Sequence, residues 1–197
     1  VMERALELLQ AGKPTRLLLT ELDPEGLRIL RDLNLLTSHP VLYVCNVAEG
    51  DAATGNAHSA AVEKMAAAQG AGTVVISAAI EAEVAQLSDD DAREFLADMG
   101  LDEPGLNKVI RAGYALLHLI TYFTAGPKET RAWTIEKGTR APQAAGVIHT
   151  DFERGFIRAQ TIGYEDFVSL GGEVAAKEAG KARDEGKDYV VQDGDVM

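Results

Sequence analysis

Two short segments, each directly after an apolar run, have residue types and spacing that could carry chemistry. Asn46-Val47-Ala48-Glu49 follows the five apolar residues 41–45, and Ser77-Ala78-Ala79 follows residues 73–76. An apolar run without polar alternation is typical of a strand buried on both faces, in a parallel sheet covered by helices. The loops at the carboxyl ends of such strands line the ligand crevice. Two strand ends flanking one helix therefore predict half of a nucleotide-binding site.

The first segment has the spacing of the guanine-reading loop of P-loop GTPases, in which Asn, Lys, any residue and Asp follow a buried strand. Here Val47 replaces the lysine and Glu49 the aspartate, which sets the carboxylate one methylene further out. In the GTPase loop the Asp carboxylate accepts two hydrogen bonds from the edge of guanine. Adenine presents one amino donor beside a ring acceptor on that edge, so a carboxylate placed to accept two bonds keeps an unpaired acceptor, which costs about 1–3 kcal/mol when buried. The loop is thus built poorly for guanine and could suit adenine. Ser77-Ala78-Ala79 would meet the base from the other side.

Simpler interpretations stand beside this one. An Asn at the end of a strand is commonly a turn or helix-capping residue. Neither Gly12-Lys13 nor Gly180-Lys181 has the earlier glycine and the following hydroxyl of a phosphate-binding loop, so we expect no phosphate site in these residues. The four histidines lack metal-ligand spacing, and the acidic run 89–91 after Ser88 is favourable first-turn charge of a helix, so no metal site is predicted.

Composition narrows the class of protein. The 197 residues are 46% hydrophobic, enough for one or two domains, with a net charge of −12 and a pI of about 4.7. This charge argues against general binding to DNA or to a membrane surface. No leader or long apolar run is seen, and the single cysteine permits no internal disulfide, so we expect a cytoplasmic protein. Cys45 precedes Asn46; a buried strand cysteine is normally inert, but its oxidation would displace Asn46, which makes it a possible redox site.

Helical signals dominate the first 118 residues. We predict helices over 2–10, from Asp23-Pro24 onward, over 56–69, 88–99 and 104–117. The strand over 41–46, the helix after it and the strand over 73–76 form a crossover unit. The second helix is expected to carry an apolar stripe of Leu27, Leu30, Leu33 and Leu36. The last helix is expected to bury Leu106, Val109, Ile110, Leu116 and Leu117.

From about Leu119 the pattern changes to a small β-rich domain. Strands are predicted over 119–125, 129–136, 156–162 and 189–191, with a short helix over 141–148. Residues 173–188 are expected to form a charged loop or short helix. Asp193-Gly194-Asp195 predicts a hairpin turn whose returning strand keeps only two residues, and the chain opens inside a helical pattern, so we expect a segment of a longer protein.

This second part also differs in charge. Residues 120–160 hold six basic and four acidic side chains, a net charge of +2. The other residues together carry −14, which gives the chain its total of −12. Lys128, Arg131, Lys137 and Arg140 are candidate contacts to RNA or to a ribosome. Trp133, Phe152 and Phe156 could share that surface, although aromatic residues are as commonly part of a core.

Several stretches together resemble the YchF or Obg-like ATPase family over nearly the whole chain. Asn46-Val47-Ala48-Glu49 looks like its altered base-specificity motif, and Ser77-Ala78-Ala79 like its second base loop. Further matches, which look like its C-terminal TGS domain, are residues 119–126, Arg131-Ala132-Trp133-Thr134, residues 141–152 and Gly186-Lys187-Asp188-Tyr189.

The resemblance implies an α/β fold: the C-terminal half of a P-loop NTPase (G-domain) sheet with helices, followed by an α+β, ubiquitin-like β-grasp TGS domain. It places the end of a helical insertion and the return helix at 1–38, the nucleotide-binding half at 39–118 and the TGS domain at 119–197. It also implies ATP preferred to GTP, with Mg²⁺, and association with ribosomes. The family's phosphate and magnesium motifs lie upstream of these residues, so we expect the segment alone to be inactive. Two functions follow: part of an ATPase translation factor, or a TGS-type ribosome, RNA or protein-binding module without a nucleotide role.

Overall fold

The computed structural model describes residues 1–197, which divide into two compact units, Val1–Leu116 and Leu117–Met197. The first unit contains six α-helices, two strands and three short 3₁₀ turns. Its helices are α1 (Met2–Gln10), α2 (Pro24–Asp32), α3 (Ala57–Ala68), α4 (Ala78–Val84), α5 (Asp89–Asp98) and α6 (Gly105–Leu116). Its strands are β1 (Leu42–Asn46) and β2 (Gly72–Ile76), and its 3₁₀ turns are Thr15–Leu18, Leu36–Ser38 and Glu49–Asp51.

The helix starts follow from capping side chains, as the sequence predicts. The Asp23 carboxylate accepts from the Gly26 N–H at 2.8 Å, and the Ser88 hydroxyl caps α5. At α3 the Asn56 side chain accepts from the Ser59 N–H while the Ser59 hydroxyl accepts from the Asn56 N–H. Each cap satisfies an N–H that has no partner within its helix. These three helix starts are confirmed.

Strands β1 and β2 pair in parallel with α3 between them in the chain, so the predicted strand, helix, strand unit is confirmed. Asn46 pairs with Ile76, so both strands end at the same edge of the sheet. The expectation that β1 is buried on both faces is wrong, because Val44 is 46% exposed. The sheet has two strands in this chain, and two strands give the packing helices too little surface to enclose both faces.

Two predicted apolar stripes are only partly right. Leu30 is fully buried with Ala5 and Leu18, but α2 ends at Asp32, and Leu36 lies in a 3₁₀ turn, 86% exposed. On α6, Leu106 and Ile110 are exposed, whereas Gly105, Val109, Ala112 and Leu116 are buried or half-buried; Leu117, predicted in this stripe, lies after the helix and is exposed. The four buried or half-buried residues follow helical spacing and include small residues, so α6 turns a narrower stripe toward the sheet than the large apolar residues suggest.

The second unit is a five-stranded mixed sheet with four helices. Its strands are β3 (Leu119–Ala125), β4 (Thr130–Glu136), β5 (Ala159–Gly163), β6 (Arg183–Glu185) and β7 (Asp195–Val196), in the order β4-β3-β7-β5-β6. Its helices are α7 (Ala141–Ile148), α8 (Thr150–Arg154), α9 (Tyr164–Leu170) and α10 (Glu173–Glu178). Its core joins the sheet to α7: Ile120, Tyr122, Ile135, Ala141, Ala144 and Val191.

The predicted end of this unit needs correction. Residues 189–191 are not a strand: Val190 makes only an isolated bridge to Arg140. Asp195, predicted in a turn, starts β7, which lies between β3 and β5 at the centre of the sheet. The expected two-residue returning strand is therefore present, one residue earlier than predicted, but it pairs with β3 and β5 instead of with residues 189–191. The third predicted strand begins at Ala159 instead of residue 156. Residues 173–188 contain a short helix, α10, which is one of the two expected forms, and also the unpredicted strand β6.

Strand β7 is fixed by a buried carboxylate. Asp195 is 3% exposed, and its Oδ2 accepts from the Tyr189 hydroxyl at 2.7 Å and from the Gln192 N–H at 2.9 Å. Arg183 lies 3.7 Å from its other oxygen. We predict that Asp195→Ala lowers the free energy of unfolding by about 1–3 kcal/mol, since it leaves buried donors unpaired. Denaturant unfolding measures this.

Asp188→Ala is the matched control, because Asp188 is an exposed carboxylate in a surface ion pair with Arg140. It should leave the unfolding midpoint nearly unchanged. Equal effects of the two substitutions would show that Asp195 does not hold β7.

Two tyrosines make the second unit sensitive to alkali. Burial raises the pKa of Tyr122 to about 12, and burial together with the bond to Asp195 raises the pKa of Tyr189 to about 12. Because both pKa values lie above the usual value of 10.0, their contribution to stability is full below pH 10 and is lost as the pH rises toward 12. Denaturant unfolding at a series of pH values should show this decline. It should be shallower in Tyr122→Phe, and an unchanged slope would contradict the assignment.

Candidate functional site

The structure brings the two predicted segments into direct contact. The Asn46 side-chain Oδ1 accepts from the backbone N–H of Ala78 at 2.9 Å, and the Val47 N–H donates to the Ile76 carbonyl at 2.9 Å. This contact follows from the parallel register, which pairs Asn46 with Ile76. The Asn46 Oδ1 therefore already has one partner, and the side-chain Nδ2 is left to donate to another group.

The second segment differs from the predicted loop. Ala78 and Ala79 are exposed and already belong to α4, while Ser77 stands at the N-cap position. Ser77 is 3% exposed, and its hydroxyl has no hydrogen-bond partner. Helix α4 begins directly after Ser77, and its Ile80 is buried in a cluster with Ala52, Leu96 and Leu101.

Glu49 lies on the segment after β1. It begins the 3₁₀ turn Glu49–Asp51, is exposed, and its carboxylate makes no hydrogen bond or ion pair. Val47 is half-buried. The loop is closed behind them by Asp51, whose side chain accepts from the Asn56 Nδ2 at 2.9 Å. A free carboxylate, a free amide donor and an apolar side chain thus follow one strand, the combination that can read the edge and face of a purine.

Glu81, which the sequence analysis did not single out, joins α4 to the start of α6. The Glu81 carboxylate of α4 accepts from the N–H of Gly105 at 2.6 Å and from the N–H of Leu106 at 3.0 Å. A Cβ on Gly105 would lie 2.9 Å from both Glu81 Oε1 and the Ile76 Cγ2. No local pattern signals this pairing, because 24 residues separate Glu81 from Gly105.

Cys45 precedes Asn46 in β1 and pairs with Val75. It is a free, half-buried cysteine. Its redox role stays a prediction.

A large groove of the first unit lies away from the predicted base residues. It encloses about 840 Å³ between α4, α5 and the start of α6, and its wall mixes apolar Leu87 and Leu101 with charged Arg93, Asp102 and Glu103. None of the predicted base residues lines it. The bond between Asn46 and Ala78 and the free carboxylate of Glu49 are found after the strand ends instead, so we take that region as the candidate site.

The four predicted cationic contacts of the second unit are all exposed. Lys128 and Lys137 make no ion pair, the Arg131 guanidinium lies 4.3 Å from the centre of the Trp133 ring, and Arg140 pairs with Asp188 at 3.1 Å. Three of the four are therefore without an acidic partner in a chain rich in acidic residues.

The aromatic residues split between the two interpretations. Trp133 and Phe156 pack against the core, and the Trp133 Nε1–H donates to Thr124 at 2.9 Å. Phe152 is 55% exposed and lines a groove of about 430 Å³ together with Lys128, Trp133 and Ile148.

No group of three or more His, Cys, Asp or Glu side chains is arranged to hold a metal ion. None of the helices has the length and hydrophobicity needed to cross a membrane.

Comparisons with known proteins find similarity to YchF proteins over the whole chain. The family model YchF-GTPase_C, described as "Protein of unknown function (DUF933)", matches residues 119–197. "Ribosome-binding ATPase YchF" of Haemophilus influenzae is 55% identical over all of this chain and 53% of its own length, and that of Bacillus subtilis is 48% identical over 54% of its length. "Obg-like ATPase 1" of Rattus norvegicus is 43% identical over 87% of this chain and 44% of its length.

The solved structure of the Schizosaccharomyces pombe YchF GTPase matches with a TM-score of 0.82 at 36% identity, covering 98% of this chain and 52% of that one. The α/β fold with helices and mixed sheets is thereby confirmed. The chain spans about half the length of the curated relatives it matches. On this similarity over its whole length, the chain belongs to the YchF family.

Proposed function

We propose that this chain carries the base-reading part of an ATP-preferring nucleotide site, together with a unit that docks on the ribosome, within a longer NTPase. The observation that carries the nucleotide part is the bond from Ala78 N–H to Asn46 Oδ1, which joins the two segments beside the free Glu49 carboxylate. The relatives' names, ribosome-binding ATPase and Obg-like ATPase, support ATP and the ribosome as ligands.

The geometry suits a purine with a donor on its edge. With its Oδ1 held by Ala78, Asn46 presents Nδ2 to a ring acceptor, while the Glu49 carboxylate accepts from an exocyclic amino group. Val47 covers one face of the ring. Adenine offers one amino donor, whereas guanine offers two adjacent N–H donors, and a carboxylate set further out is poorly placed to accept both.

The phosphate groups and Mg²⁺ require other residues. Residues 1–197 contain no Gly-x-x-x-x-Gly-Lys-Ser/Thr sequence, and no acidic cluster is arranged for a metal. In this proposal, residues 1–197 contribute base recognition, and hydrolysis depends on the complete protein.

The second unit is proposed to be a TGS domain of the β-grasp type. Two features support this: the first and last strands, β3 and β7, lie side by side in parallel at the centre of the sheet, and α7 packs across it. The exposed cations Lys128, Arg131, Lys137 and Arg140 form its proposed ribosome contact.

The second candidate is a TGS-type binding module with no nucleotide role in this segment. The unpaired Lys128 and Lys137 favour it, because they are available to an anionic partner. The two candidates differ in one observable: only the first makes ATP affinity depend on Asn46 and Glu49.

We predict that Val47→Lys with Glu49→Asp in the complete protein moves preference from ATP toward GTP. The shorter carboxylate retracts to the distance at which both guanine donors are accepted, and the lysine stem covers the purine face. A bond to a charged group is worth about 1.5–3 kcal/mol, so the affinity ratio should change at least about tenfold. Parallel titrations with ATP and GTP measure it.

Inorganic tripolyphosphate is the control ligand, because it reports phosphate affinity without a base. Its affinity should stay unchanged while ATP and GTP respond in opposite directions. If both nucleotides lose affinity together, or neither responds, these residues do not read the base.

The docking role is tested separately. We predict that replacing Arg131, Lys137 and Arg140 by Ala weakens co-sedimentation with ribosomes and reduces its dependence on salt, because fewer counterions are released on binding. The matched control replaces the exposed Arg28, Lys64 and Arg93 of the first unit, with the same change of charge. Equal loss in both variants would indicate an effect of net charge, and an unchanged profile would rule out this surface.

A further inference from the structure

The Glu81 carboxylate joins two elements that meet at the end of β2. Glu81 is half-buried on α4, three residues after Ala78, and its two oxygens accept from the consecutive N–H groups of Gly105 and Leu106. These are the first two residues of α6, whose N–H groups have no partner within the helix. A negative charge at a helix start is also favourable to the helix dipole.

The start of α6 packs closely against Glu81 and Ile76. Because a Cβ on Gly105 would lie 2.9 Å from Glu81 Oε1 and from the Ile76 side chain, the start of α6 lies directly against both α4 and the last residue of β2. Any larger residue at position 105 would push one of these groups aside. The carboxylate is therefore held by bonds at both oxygens and by contact at its side.

Helix α4 has few other anchors at its N-terminal end. It has seven residues, and no side chain caps it at Ser77. Besides the packing of Ile80, the bond from Ala78 to Asn46 and the Glu81 contacts hold it in place. A helix this short has little stability of its own, so its position depends on tertiary contacts.

We propose that Glu81 is a positioning residue for base recognition: by tying α4 to α6, it keeps the Ala78 N–H directed at Asn46 Oδ1, and thereby keeps Asn46 Nδ2 turned to the base. This inference rests on the proposed function for the role of Asn46. Its structural half, that Glu81 controls the bond between Ala78 and Asn46, stands apart from any nucleotide.

The substitution Glu81→Gln isolates the carboxylate. Glutamine has the same length, but it has one acceptor oxygen and an amide group that cannot accept from the second backbone N–H. Glu83→Gln is the matched control, since Glu83 lies on the same helix, is exposed and makes no side-chain bond. Glu81→Asp keeps the charge on a side chain one methylene shorter, and it serves if the glutamine variant does not fold.

The first measurement is amide hydrogen exchange in the complete protein without nucleotide. In Glu81→Gln we expect exchange to become roughly tenfold faster at Gly105 and Leu106, which lose an acceptor, and also at Ala78, whose own acceptor on Asn46 is untouched. The aspartate variant should show the same effects more weakly, and Glu83→Gln should show none. If exchange rises at Gly105 and Leu106 but not at Ala78, Glu81 is only a helix cap and the proposal is overturned.

The second measurement separates the base from the phosphates. Glu81→Gln should weaken ATP binding several-fold and leave the affinity for inorganic tripolyphosphate unchanged. An equal loss for both ligands would mean general destabilisation and would overturn the proposal, as would unchanged ATP affinity in a protein whose Asn46→Ala variant has lost it.

The Asn46→Ala variant keeps the two proposals distinguishable. If ATP affinity does not depend on Asn46, the proposed function fails and the base-recognition half of this inference fails with it. The exchange result at Ala78 still decides whether Glu81 positions the segment.

Discussion

The parallel pairing of β1 with β2 is the constraint on which the candidate site depends. It pairs Asn46 with Ile76, so the two polar segments leave the sheet at the same edge, and Ala78 N–H falls within reach of Asn46. Antiparallel strands would have sent the segments to opposite ends of the sheet. The helix between the strands is what makes this direction possible, and its capping box at Asn56 and Ser59 sets where it starts.

Polar contacts then give this edge its shape. Asp51 closes the first loop through Asn56, and Glu81 joins α4 to α6, so both segments are supported from behind by bonds to other elements. The groups left free, Glu49 and the amide nitrogen of Asn46, are those that a ligand would need. In the proposed site, a ligand would not have to break internal side-chain bonds of Glu49 or of the Asn46 amide nitrogen before it could bind.

Sequence patterns correctly predicted those features that depend only on residues close together in the chain. The capped helix starts at Asp23, Asn56 and Ser88 could be placed from sequence, because capping needs only neighbouring residues. The contact of Glu81 with Gly105 could not, and neither could the place of β7 between β3 and β5, since both depend on residues far apart in the chain. The stripe of α6 failed for another reason: hydrophobicity identified its large residues, but the helix approaches the last residue of β2 at Gly105, where the absence of a side chain allows close contact.

The position of β7 has a consequence for the order in which the second unit folds. Its two residues, Asp195 and Val196, are the bridge between β3 and β5, which are separated in sequence by residues 126–158 and do not pair with each other. During synthesis the hairpin of β3 and β4 can form early, but the centre of the sheet stays open until residues 195–196 are available. Until then two strand edges remain unpaired, a state prone to pairing with other chains. The nascent unit therefore gains its final closure in one late, long-range step.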